Sequence, residues 1–139
     1  MPNSLVPTAV NWAYNNRTVF VRVPADGGKT TRLELRAADG AANPYLVSAV
    51  SLLAGLDGIR RKLEPPEPVS GDTSTGVPVG PRLPLTLDAS LSALQADQFL
   101  CEAIGAPLVN AYGAMKAVEA ERFRTFVTDW EVNEYVWHL

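Results

Sequence analysis

Alternation dominates residues 18–36. Thr18-Val19-Phe20-Val21-Arg22-Val23 is β-branched and aromatic, and Thr31-Arg32-Leu33-Glu34-Leu35-Arg36 alternates polar with apolar positions. With Asp26-Gly27-Gly28 as the turn, the segment reads as a β-hairpin. Val19, Val21 and Val23 share one face, as do Leu33 and Leu35. The other face gathers Arg22 on the first strand and Arg32, Glu34 and Arg36 on the second. Pro24 ends the first strand or marks an edge.

The period then changes. Asn43-Pro44 suits a helix start, because asparagine caps free N–H groups and proline fits the first turn. Tyr45, Leu46, Ala49, Val50, Leu52, Leu53, Leu56 and Ile59 predict a helix to about Leu63. Its apolar residues fall on more than one face, which predicts a deeply buried helix, and Pro65-Pro66 ends it. Residues 64–84 hold six of the eleven prolines, with Gly71, Gly76 and Gly80 and no period, so they read as a long surface loop. Short helices follow over about 87–96, capped by Thr86, and 98–104, stopped by Gly105. A longer one starts near Pro107 and continues to about Val127. Thr128-Asp129-Trp130-Glu131 has the form of a capping box opening a last short helix. The reading is α+β, a hairpin followed by helices, with no internal repeat.

Composition narrows the function. A chain of 139 residues suits one domain, and 47% hydrophobic residues exclude wholesale disorder. A net charge of −3 argues against nonspecific nucleic-acid binding as the main activity. The charge is uneven: residues 1–63 carry eight Lys/Arg against four Asp/Glu, and the remainder carries four against eleven. Anion-binding chemistry is therefore expected in the basic front. Cys101 is alone, which excludes an internal disulfide and points to a reducing, cytoplasmic setting. His138 is the only histidine, so a His-centred triad or multi-His metal site is excluded within this chain. The first charge is Arg17, so no signal peptide is expected. The longest uncharged window, Gly40 to Leu56, is short for a membrane span and contains Asn43, Pro44 and Gly55.

The alternation Arg32-x-Glu34-x-Arg36 beside Arg22 is the informative constellation. Guanidiniums on one sheet face make a site for phosphate or carboxylate, since each donates paired hydrogen bonds. A carboxylate among them either pairs with the arginines or holds a hard divalent cation that bridges to phosphate. The plain reading is a solvated face laced by cross-strand ion pairs. Gly27-Gly28-Lys29-Thr30 only echoes a phosphate-binding loop, and a hairpin turn explains it better. Asp39 and Asn43 suit loop and helix-cap roles. Trp12 and Tyr14 suit core packing better than base stacking. Glu119, Glu121, Arg122 and Arg124 suit a solvated helix face. Trp130, Tyr135 and Trp137 make an aromatic end that docks on this chain or on a neighbour.

Four motifs occur in order: Asn16-Arg17-Thr18-Val19-Phe20-Val21-Arg22-Val23-Pro24, Arg32-Leu33-Glu34-Leu35-Arg36, Asn43-Pro44-Tyr45-Leu46 and Ala54-Gly55-Leu56-Asp57-Gly58-Ile59. Together they resemble the carboxy-terminal part of the catalytic domain of type I glutamine synthetase and its γ-glutamylpolyamine synthetase-like relatives. The resemblance runs over nearly the whole chain. It implies that Arg17, Arg22 and Arg32 contact ATP phosphates and the phosphoryl group in transfer. It implies that Glu34 is a ligand of a divalent metal, Mg2+ or Mn2+, and that Arg36 holds glutamate or its activated γ-carboxyl. Arg17 and Arg36 are thereby the catalytic candidates. The implied reaction phosphorylates glutamate with ATP, and ammonia or an amine then displaces phosphate to form an amide. The implied partners are the amino-terminal part of the family fold and further copies in a homo-oligomer, with neither nucleic acid nor membrane.

Departures from the family pattern accompany the resemblance. The chain matches about the last third of a family member, so most metal-ligand glutamates and a metal-ligand histidine have no counterpart, and His138 does not replace the latter. Asn3-Ser4-Leu5-Val6-Pro7 resembles a family segment that carries Tyr-Lys-Arg after the serine, and that arginine is absent. A flap glutamate has no counterpart between Pro7 and Trp12, and residues 64–84 contain no tyrosine to match an adenylylation site. The expectation is a ligase part inactive alone, or a non-catalytic remnant or interaction module that keeps the fold.

Overall fold

The computed structural model describes residues 6–24, 27–74 and 76–138. Met1–Leu83 form one unit and Pro84–Leu139 another. In the first, β1 (Trp12–Tyr14), β2 (Val21–Val23) and β3 (Glu34–Leu35) lie in the order β1-β2-β3. β2 and β3 are antiparallel, with Val21 opposite Leu35 and Arg22 opposite Glu34, so the expected hairpin forms in shortened length. Gly27 and Gly28 turn it with φ of 65° and 74°, a region open to glycine, and Asp26 lies outside the described residues. Pro24 follows β2 directly and is buried.

Two features of the sheet were not anticipated. β1 pairs in parallel with β2, Trp12 opposite Val21 and Tyr14 opposite Val23. Parallel neighbours usually need a long crossover, yet here residues 15–20 alone make the return. Asn15 starts it in the left-handed region, at φ 51°, which asparagine tolerates better than most residues. Consequently Thr18-Val19-Phe20, expected in the strand, belongs to this return loop, and Val19 is fully buried beneath it at 0% exposure. Trp12 and Tyr14 meet edge to face at 5.2 Å with Tyr14 exposed, so neither is a core anchor.

The Pro-rich segment forms no helix or described strand, as expected, but it is bound to β1 and its lead-in. Val69 N–H donates to Trp12 O (2.9 Å), Val10 N–H to Pro81 O (2.7 Å) and Leu83 N–H to Thr8 O (3.0 Å). An isolated antiparallel bridge joins Ala9 and Arg82. Gly80 permits the approach: at φ 107° its backbone lies where a Cβ would run into the Val10 carbonyl oxygen.

α1 (Pro44–Arg60) starts as expected, with Asn43 Oδ1 accepting from the Tyr45 and Leu46 N–H groups. The expectation of deep burial is corrected: α1 has no buried residue, and Tyr45 is 82% exposed. An apolar surface on all sides asks for cover on all sides, and the described residues do not supply it.

The second unit holds α2 (Leu87–Ala96), α3 (Gln98–Ile104), α4 (Ala106–Arg124) and α5 (Asp129–Tyr135). The first three pack on one another, with Val109 and Ala120 buried. Thr86 and Asp97 cap α2 and α3, and Gly105 separates α3 from α4. α4 ends at Arg124 rather than Val127, its last carbonyls taken by Thr125 and Phe126 N–H groups. The Thr128–Glu131 capping box forms in full at α5. Trp130 and Tyr135 meet edge to face, while Trp137 is 88% exposed; Leu139 lies outside the described residues. Among the described residues no helix is long and apolar enough to cross a membrane.

Candidate functional site

The hairpin register places Arg22 opposite Glu34, and period two places Arg32 and Arg36 on the same side as Glu34. The side chains meet accordingly. Arg22 Nη1 donates to Glu34 Oε2 at 2.8 Å, and Arg32 Nη2 donates to Glu34 Oε1 at 2.5 Å. Each carboxylate oxygen thus has its own guanidinium. The Arg22 hydrogen bond, then that of Arg32, holds the Glu34 carboxyl below its usual range, against partial desolvation. Arg22 Nε is buried without a hydrogen-bond partner among the described residues.

Arg17 and Arg36 form a second pair. Arg36 Nε donates to the Arg17 carbonyl at 2.9 Å, and Arg36 N–H donates to Phe20 O. This ties β3 to the loop between β1 and β2. The Arg17 guanidinium has no ion pair or hydrogen bond among the described residues, and Arg17 is one of the residues lining an open cleft of about 700 Å³. The opposite wall is Pro68–Asp72 of the Pro-rich segment. All five sequence-predicted residues therefore lie on the hairpin or on its entry loop, as the Arg22–Glu34–Arg32 triad and the Arg17–Arg36 pair.

The minor candidates settle into local roles. Asp39 Oδ1 accepts from Ala41 N–H, Asn43 caps α1, and Glu121 and Arg124 pair on an exposed face of α4. Sequence reasoning passed over Asn11, Asn16, Thr18 and Thr73. Asn11 is buried, accepts from Phe20 N–H (3.0 Å) and donates to Val79 O (2.9 Å). Asn16 Oδ1 accepts from both the N–H and hydroxyl of Thr18. The signal was Asn16-Arg17-Thr18 itself, an asparagine two residues before a hydroxyl residue, which favours an Asx turn.

Guanidiniums gathered around one carboxylate have the chemistry that suits phosphate and carboxylate groups. Comparisons with known proteins give the chain a family. The model described as glutamine synthetase, catalytic domain, matches residues 1–135, and the chain belongs to the glutamine synthetase family. A glutamine synthetase of Methanococcus voltae is 42% identical over 142 residues, covering 98% of this chain and 32% of that protein. One of Staphylococcus aureus (strain MW2) is 37% identical over 142 residues with the same coverage. The solved structure described as "Apo GmaS without ligand" is 39% identical at a TM-score of 0.79, covering 91% of this chain and 30% of that one. The chain spans about a third of the length of these relatives.

The two groups associated with such sites fit differently. Phosphates suit the chemistry of these residues: among the described residues the Arg17 side chain has no partner, and Arg22 Nε is buried without one. A magnesium or manganese ion needs several oxygen donors. Among the described residues no group of three His, Cys, Asp or Glu could hold one, and both Glu34 oxygens are engaged. The described residues do not by themselves fit the ion.

Proposed function

We propose that residues 1–139 form the phosphate-handling part of a glutamine synthetase-type catalytic domain. In this reading Arg17, Arg22 and Arg32 hold the ATP phosphates and the phosphoryl group in transfer, and Arg36 holds the glutamate γ-carboxyl. The γ-carboxylate oxygen takes the phosphoryl group as ADP leaves, and ammonia or an amine then displaces phosphate to give the amide. Fixed guanidiniums stabilise the charge that spreads over the transferring oxygens, and they need no reorganisation at that moment. A divalent ion, Mg2+ or Mn2+, would need its donors from the rest of the family fold, with Glu34 able to offer one only on exchanging an arginine partner. The Arg22–Glu34–Arg32 cluster carries this reading.

The ligase part acts with the rest of the family fold and in a homo-oligomer. The exposed apolar surfaces of α1 and of the Trp130–Trp137 end support this, since such density is unusual on a free surface. A cytoplasmic setting belongs to the same proposal. The chain alone is expected to make no glutamine from glutamate, ammonia and ATP, and a polypeptide supplying the remaining two thirds of the fold is expected to restore amide formation. Metal-dependent amide formation by the purified chain alone overturns the first expectation. The second reading, a remnant or interaction module, is favoured by the engaged Glu34 and the lack of a described three-ligand cluster. Failure of complementation, with the two parts shown to associate, selects it.

A further inference from the structure

We propose that Thr73, in the Pro-rich segment, is a positioning residue for Arg17, and that Asn16, Thr18 and Thr73 form a clasp that makes this segment part of the anion site. The proposal rests on the reading of Arg17 as a phosphate ligand.

The hydrogen-bond accounting shows a closed device. Thr18 and Thr73 each have one hydroxyl proton. The Thr18 hydroxyl donates to Asn16 Oδ1 at 2.8 Å, and its oxygen accepts from the Thr73 N–H at 3.0 Å. The Thr73 hydroxyl donates to the Thr18 carbonyl at 2.8 Å. Asn16 Nδ2 donates to Gly71 O at 2.7 Å, so both residues flanking Arg17 in sequence are bound to residues 71–73. Thr18 is buried and sits 55 positions from its partner, so this is no accident of local turn chemistry. Arg36 closes the other side by donating to the Arg17 carbonyl.

Arg17 is thereby held at the backbone from both directions, while its guanidinium has no hydrogen bond or ion pair among the described residues. That is the arrangement a preorganised anion ligand requires: the main chain is fixed before the ligand arrives, so little ordering remains to be done on binding. A plain structural clasp would explain the bonds. It would not explain why the residue enclosed on both sides is an arginine whose side chain has no hydrogen bond or ion pair among the described residues.

Phosphorus NMR titration of ATP separates the cases, using wild type, Thr73→Val, Thr73→Ser, Arg17→Ala and the Arg17→Ala/Thr73→Val double variant. Thr73→Val is expected to weaken ATP binding about fivefold, as for loss of one hydrogen bond, and Thr73→Ser to restore it. In the Arg17→Ala background Thr73→Val is expected to cost nothing further. Wild-type affinity in Thr73→Val, or an undiminished Thr73→Val loss without Arg17, overturns the proposal. Should Thr73→Val not fold, Asn16→Ala opens the clasp from its other side under the same criteria. If wild type binds no ATP, or Arg17→Ala changes nothing, the underlying reading of Arg17 fails and the proposal falls with it.

Discussion

Different kinds of contact hold each of the two units together internally. In Met1–Leu83 the decisive bonds span long stretches of sequence: Trp12 Nε1 donates to Pro66 O, Asn11 Nδ2 to Val79 O, and Asn16 Nδ2 to Gly71 O. In Pro84–Leu139 the polar contacts are chiefly within a turn or two, as in the Thr86, Asp97 and Thr128 caps and the Lys116–Glu119 and Arg124–Glu121 pairs. Local bonds form wherever the short sequence permits. Nonlocal ones fix a loop only once distant chain has arrived. The Arg17 loop lies in the nonlocal unit, so its geometry depends on a Pro-rich segment without helix or described strand.

The sharpest way to break this contrast is Asn11→Ala. It leaves the half-buried Phe20 N–H and the more exposed Val79 carbonyl without their partner at the buried Asn11 position, and about 2 kcal/mol of stability is expected to go. Chemical denaturation followed by tryptophan fluorescence checks it. A loss below about 1 kcal/mol would mean the Pro-rich segment is not held as described. Thr86→Ala in the other unit is expected to cost about 1 kcal/mol, the worth of one N-cap, and to leave the signals of residues 8–23 in place.

Acid sharpens the comparison more gently. The Thr128 N–H and hydroxyl hold the Glu131 carboxyl below its usual 4.5. A lowered folded-state pKa stabilises above the unfolded value and is lost as pH falls through the folded one. The α5 amide signals are therefore expected to lose protection below pH 4.5 in wild type. Glu131→Gln is expected to remove that step in an NMR pH titration, and persistence of the step would assign it elsewhere.

What sequence revealed follows the same division. The helices of the second unit were legible because caps and breakers such as Thr86, Gly105 and Thr128 act on their own neighbours. The Arg22–Glu34 register was legible because the hairpin turn and period two are local as well. β1 was not, because a three-residue strand pairing in parallel across a six-residue return has no local signature. The return loop was misread as strand since Thr18-Val19-Phe20 has strand composition, and tertiary burial of Val19 overrode it. The burial predicted for α1 failed because an apolar pattern reports a need for cover without naming what provides it. The clasp was missed because Thr73 acquires meaning only beside Thr18.

The central claim is that the guanidinium face holds phosphate. Isothermal calorimetry of ATP with magnesium into wild type, Arg17→Ala, Arg22→Ala and Arg32→Ala tests it most directly. Weak saturable binding is expected in wild type, about tenfold weaker in each variant, as for loss of a charge-assisted hydrogen bond. No binding at millimolar nucleotide, or variants that match wild type, would contradict it and leave the face a solvated ladder of ion pairs.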